Sequence, residues 1–109
     1  MNDILISGKQ TKLGRALTNY VNSNLMDSLT KYFNSFISAN VNFSKNNNNF
    51  NCEISIHVEK TVFVQSHAFS NDAYGAFNVA NEKIKKRVRR YHKKLNDHRI
   101  KSKKLAKNN

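Results

Sequence analysis

Residues 39–69 read ANVNFSKNNNNFNCEISIHVEKTVFVQSHAF, and apolar and polar positions alternate through nearly the whole stretch. In Ala39-Asn40-Val41-Asn42-Phe43-Ser44 the apolar residues fall on one side of a period of two. Phe50, Cys52, Ile54, Ile56 and Val58 repeat the pattern, with Asn51, Glu53, Ser55, His57 and Glu59 opposite. A third run places Val62, Val64, Ser66 and Ala68 on one face and Phe63, Gln65, His67 and Phe69 on the other. Side chains of a strand point alternately to its two faces, so each run predicts a half-buried strand. Asn46 to Asn49 separate the first two runs as a mobile hairpin loop, and Glu59-Lys60-Thr61 joins the second to the third. Consecutive strands on short connections form an antiparallel meander.

The pattern changes on both sides of this meander. Upstream, Asp3 to Gly8 reads as a short strand, with Ile4 and Ile6 on one side and Leu5 on the other. Leu13, Ala16, Leu17, Tyr20, Val21, Leu25, Leu29, Tyr32, Phe33 and Phe36 then recur at steps of three and four. That spacing predicts an amphipathic helix of roughly 22–25 residues, with Thr11 positioned to cap it. Downstream, Ala73, Phe77, Ala80, Ile84, Val88, Tyr91 and Leu95 mark the core side of a second helix, from Asp72 to about His98. Asp72 is its cap, because a carboxylate accepts a backbone N–H and favours the positive helix end. The order β-α-β-β-β-α implies an α+β fold in two layers. A four-stranded sheet carries both helices on one face, in the manner of a double-stranded-RNA-binding domain. Residues 1–98 are expected to be the folded domain and 99–109 a basic disordered tail or the start of a linker.

Composition narrows the class. A chain of 109 residues holds one modest core. It has no proline, and its single cysteine, Cys52, leaves no partner for an intramolecular disulfide. A reducing cytoplasm is the expected compartment. No signal peptide and no membrane span are read, since no apolar run approaches the ~20 residues a span needs.

The charge is local. From Glu82 to Asn109 there are 13 Lys/Arg against two acids, a net of +11, while Met1 to Asn81 carry 6 against 5. Between Lys83 and Asn96 stand eight Lys/Arg and no acid. At 100° per residue Lys83, Lys86, Arg87, Arg90 and Lys94 share one flank of the second helix. Lys85, Arg89 and Lys93 cover the rest of its wet surface. A solvated face normally mixes signs and gains from i,i+4 pairs. One-signed repulsion on this scale points instead to a polyanion that relieves it. Arg87, Arg89 and Arg90 can bind phosphate bidentately. No aromatic is interleaved on the wet side, so contacts to phosphate and shape are expected rather than base reading, as suits structured RNA.

Several segments resemble the ribosome hibernation-promoting factors, also called ribosome-associated inhibitor or sigma-54 modulation proteins. They are Ile6-Ser7-Gly8-Lys9-Gln10 with Leu13-Gly14-Arg15-Ala16-Leu17, Lys31-Tyr32-Phe33, Val41-Asn42-Phe43-Ser44-Lys45 and Asp72-Ala73-Tyr74-Gly75-Ala76-Phe77 running on to Arg89 through His98. The likeness covers roughly residues 3 to 98 and implies the same β-α-β-β-β-α fold. It implies a factor that binds the small ribosomal subunit and its rRNA in the decoding channel, competes with mRNA and tRNA, and stops translation under stress. It places the family's basic positions at Lys83, Lys86, Arg90 and Lys94, with Arg87 beside them, and its Asp-x-Tyr at Asp72 and Tyr74. Long members carry a further domain that pairs ribosomes, so pairing by this chain alone is not expected. Membrane and DNA are not expected partners.

Other candidates are weaker. Cys52 falls on the apolar face and His57 and His67 on the open one, which separates the thiol from both imidazoles. The histidines could neighbour each other on adjacent strands, yet two ligands make a poor metal site. They read as surface residues or peripheral RNA contacts. Phe63 and Phe69 on the open face fit local packing or a protein contact, and less readily the stacking platform of a single-strand binder. No cofactor and no catalysis are expected. Two alternative functions stand: a general binder of double-stranded or structured RNA, and a regulatory protein-interaction module.

Overall fold

Three of the four strands come from the alternating stretch, and the helices flank them in sequence. The computed structural model describes the backbone of residues 3–33 and 36–107 and the side chains of 4–33 and 36–94. Its elements are β1 (Asp3–Lys9), α1 (Arg15–Thr30), β2 (Ser38–Asn46), β3 (Asn49–Glu59), β4 (Val62–Ser70) and α2 (Ala73–Lys107). The sheet order is β1-β2-β3-β4. β1 runs parallel to β2, with Ile4 opposite Ala39 and Ile6 opposite Val41. A parallel neighbour needs a crossover, and α1 supplies it. β2, β3 and β4 form the expected antiparallel meander, with Val41 opposite Ile54 and Ile56 opposite Val64.

Register puts every apolar set of the meander on the same face. Val41, Phe43, Cys52, Ile54, Ile56, Val64 and Ala68 are all buried there. Leu17, Val21, Leu25 and Leu29 of α1 and Ala76, Phe77, Ala80, Ile84 and Val88 of α2 complete one core with them. Both helices therefore cover one sheet face, as the two-layer reading requires. Two buried hydroxyls link α2 to its neighbours, one from the sheet and one from α1. Ser66 Oγ donates to the Ala80 carbonyl at 2.8 Å, and Ser28 Oγ lies 3.0 Å from Asn81 Oδ1.

The structure departs from the sequence reading in several places. α1 ends at Thr30 rather than near Phe36. The amides of Tyr32 and Phe33 both donate to the Leu29 carbonyl, which closes the last turn. Phe36 is buried from outside the helix. Its spacing mimics a helical period because the following turn also faces the core. The N-cap is Gly14, not Thr11, and it makes no side-chain cap bond. Thr11 instead belongs to a loop laid over Gly8, where an added Cβ would stand 2.8 Å from the Thr11 carbonyl oxygen. Only half of the four asparagines form the connection: Asn46 pairs with Asn49 at the strand ends, leaving a two-residue turn. Asn47 takes a φ of 56°, and asparagine is among the residues that tolerate this left-handed region. α2 stays helical to Lys107, past His98 and through most of the segment read as a tail. That segment has no Pro or Gly, and its four lysines, Arg99, Leu105 and Ala106 are all strong helix formers. The side chain of Leu95, read as a core position, lies outside the described residues.

Candidate nucleic-acid interface

α2 begins where β4 ends. The Asp72 carboxylate accepts the Gly75 amide at 2.6 Å, and its carbonyl accepts the Ala76 amide at 3.1 Å. Gly75 sits so close to Ser70 and Asp72 that a Cβ there would run into the Ser70 side chain. Tyr74 turns toward α1 and meets Tyr20 edge-on, with ring centroids 5.0 Å apart. Asp72 and Tyr74 thus start and anchor the helix. Nine residues separate Tyr74 from Lys83, about 14 Å along the axis at 1.5 Å per residue, so this pair sits ahead of the basic stripe and not within it.

From there α2 passes over β3 and along β4, an edge strand of the sheet. An edge strand presents carbonyls without a strand partner. Lys83 Nζ donates to the His67 carbonyl at 3.0 Å, and the Arg87 guanidinium donates to the Gln65 carbonyl. These bonds hold the first two cations of the flank against the sheet edge while their remaining N–H groups stay on the surface. Arg90 and Lys94 continue the flank and line a shallow groove of about 260 Å³ with Arg87 and Phe63.

Lys86 does not lie with them, which corrects the single ladder read from the helical wheel. It lines a second groove, of about 180 Å³, with Lys85, Arg89 and Glu82 of α2 and Lys31 and Tyr32 after α1. The wheel places Lys86 at the margin of the flank, and the position of α1 assigns it to the other side. Lys93 is exposed. The described part of α2 therefore carries cations on both sides of an exposed crest. Glu82 is the acid among them, 3.4 Å from Lys85. Both partners are well exposed, so this ion pair contributes little to stability.

The remaining candidates are structural. Cys52 is free and fully buried, and its thiol is pushed up to about 12 by burial first and by the charge of Glu53 second. Such a thiol is not a nucleophile at neutral pH. His57 and His67 are not neighbours, because His57 lies opposite Phe63 and His67 opposite Glu53. Each packs on a phenylalanine instead: His57 is parallel to Phe63 at 4.3 Å, and His67 meets Phe69 edge-on at 5.3 Å. Among the described residues no group of three or more His, Cys, Asp and Glu side chains is placed to hold a metal ion. Nor is any helix among them long and apolar enough to cross a membrane. Sequence reasoning missed Lys31 and the carbonyls of Gln65 and His67. The Lys31-Tyr32-Phe33 segment offered a signal for the first, whereas backbone acceptors leave none.

Fold and charge together define a small two-layer α+β domain that displays a polycationic helix beside a sheet edge. The chain belongs to the Sigma 54 modulation protein / S30EA ribosomal protein family, whose model matches residues 4–96. It is 32% identical over 95 residues to a ribosome hibernation promotion factor of Rhizobium meliloti, covering 87% of this chain and 50% of that protein. It is 30% identical over 92 residues to the protein of the same name in Bradyrhizobium diazoefficiens, covering 84% and 45%. The chain thus spans about half the length of the curated relatives it matches. The crystal structure of the Thermus thermophilus Protein Y N-terminal domain shares the fold, with a TM-score of 0.74 at 23% identity over 84% of this chain and 99% of that one. A ribosomal subunit interface protein from Coxiella burnetii does so too, with a TM-score of 0.66 at 14% identity over 82% and 96%.

Proposed function

We propose that this chain is a ribosome hibernation factor that docks α2 on the rRNA of the small ribosomal subunit. There its body blocks the mRNA and tRNA sites of the decoding channel and stops translation under stress. The observation that carries this reading is the run of eight Lys/Arg without an acid between Lys83 and Asn96, displayed on a helix fixed to the sheet edge. Family membership supports it, as do the names of the two rhizobial relatives and of the subunit interface protein. Lys83, Lys86, Arg87, Arg89, Arg90, Lys93 and Lys94 supply the phosphate contacts, and the affinity comes largely from released counterions. Inhibition is steric, and no bond is made or broken. A cytoplasmic location follows from this partner.

Co-sedimentation of the purified chain with small subunits tests the reading. Retention that survives excess free duplex RNA, is displaced by tRNA, and disappears in the K86E/R90E/K94E variant with its fold intact is the expected result. Loss of retention to any duplex RNA would leave a general structured-RNA binder. Retention by the triple variant would show that the stripe is not the contact.

A further inference from the structure

The open face of the sheet is mostly polar, and Phe63 is out of place on it. It is 55% exposed at the edge of the sheet, and β4 places it beside the cationic flank of α2. Its setting is built. The His57 ring lies parallel to it, with 8° between the planes and 4.3 Å between centroids. His57 Nε2 is 2.7 Å from the Lys60 carbonyl. A carbonyl only accepts, so this nitrogen carries the proton and the bond holds the imidazole in place. One face of Phe63 is thereby backed by a fixed aromatic ring. Around the strand edge, the groove of about 260 Å³ joins Phe63 to Gln65, Arg87, Arg90, Tyr91 and Lys94. A bare aromatic surface and three cations meet in one depression.

We infer that this groove captures one unpaired nucleotide of RNA, its base stacked on Phe63 and its phosphate held by Arg90 and Lys94 with Arg87. A purely apolar partner has no use for three cations around a phenylalanine. A nucleotide uses both, because every base has a π-face and every linkage carries a charge. A base paired within a helix cannot offer that face, so the groove selects single-stranded or flipped-out nucleotides over duplex. The His57-Phe63 stack recognises no base edge, and the capture is expected to be largely indifferent to sequence. The inference deepens the reading of α2 as a phosphate-binding helix and rests on it. It adds a base contact to an interface that charge alone would limit to backbone and shape.

The test uses a short single-stranded oligoribonucleotide carrying a fluorescent adenine analogue, titrated with the purified chain, and a duplex RNA as reference. Phe63→Leu keeps an apolar side chain and removes the ring. It is expected to weaken single-strand binding about tenfold, to abolish quenching of the analogue, and to leave duplex binding unchanged. The salt dependence of what remains should match wild type, since no phosphate contact is removed. Phe69→Leu is the matched control, 62% exposed on the same face and about 20 Å along the strand; it should bind as wild type. The inference is overturned if Phe63→Leu binds the single strand as wild type does, or if Phe69→Leu loses as much. It is also overturned if the unmodified chain fails to quench the analogue. No ribosome enters the assay, so failure of the hibernation reading would show separately in the co-sedimentation experiment.

Discussion

Asp72 shows how far a single position could be read in advance. A carboxylate just ahead of a clean helical period reads as a cap, and its bond to the Gly75 amide is that cap. Replacing it with alanine leaves an amide of the first turn unpaired. Asp72→Ala should lower stability by about 1 kcal/mol in a denaturant titration, and Asp72→Ser, which can still cap, should recover most of it. RNA affinity should be unchanged in both, because the residue sits ahead of the basic stripe and not within it. Equal loss in both variants would argue against capping. Thr11 also has a capping side chain ahead of a helical period, yet the N-cap of α1 is Gly14. The chain needs those residues to cross over Gly8 and bring Leu13 to the core, and that demand outweighs a local side-chain preference.

Elements were legible in type and less so in extent. The period of two in 39–69 and the period of 3.6 after Asp72 report which faces are buried, and burial is what holds the strands and α2 in place. Ile84 is fully buried where α2 meets the sheet, whereas Lys86, two residues on, is exposed. Ile84→Ala should cost about 3 kcal/mol, read as a lowered urea midpoint. Lys86→Ala should stay within about 0.5 kcal/mol of wild type. The end of α1 was misread because Tyr32, Phe33 and Phe36 continue its spacing after the helix has stopped. Tyr32 and Phe33 leave the turn to meet His92 and Tyr91 of α2, at 5.4 and 6.0 Å between ring centroids. Hydrophobic period records what is buried and does not distinguish a helix from a turn facing the same core.

At the scale of the molecule the decisive property is charge segregation, +11 from residue 82 onward against +1 before it. If α2 works by neutralising phosphates, RNA affinity must fall steeply with salt. Removing one cation that meets a phosphate should flatten the plot of log K against log salt by roughly 0.7–0.9. The double variant K86Q/R90Q removes one cation from each side of the crest. Its slope should therefore be about 1.5 shallower than wild type in a salt-dependent binding titration, with the same melting behaviour. An unchanged slope would mean that these two side chains do not meet phosphate.

The sequence by itself determined the elements, the faces they bury, the capped start of α2 and the location of nearly all the net charge. These are properties of neighbouring residues, set by periodicity and composition within one segment. Only the tertiary structure decided that β1 joins the meander as a parallel edge, that α2 lies along β4, and that the cations divide between two flanks. It alone set Arg87 on the carbonyl of Gln65, 22 residues away in the chain, and placed Phe63 in a groove with Arg90 and Lys94. Contacts between distant segments depend on how the layers stack, and alternation or helical spacing says which side faces the core without saying which neighbour waits there.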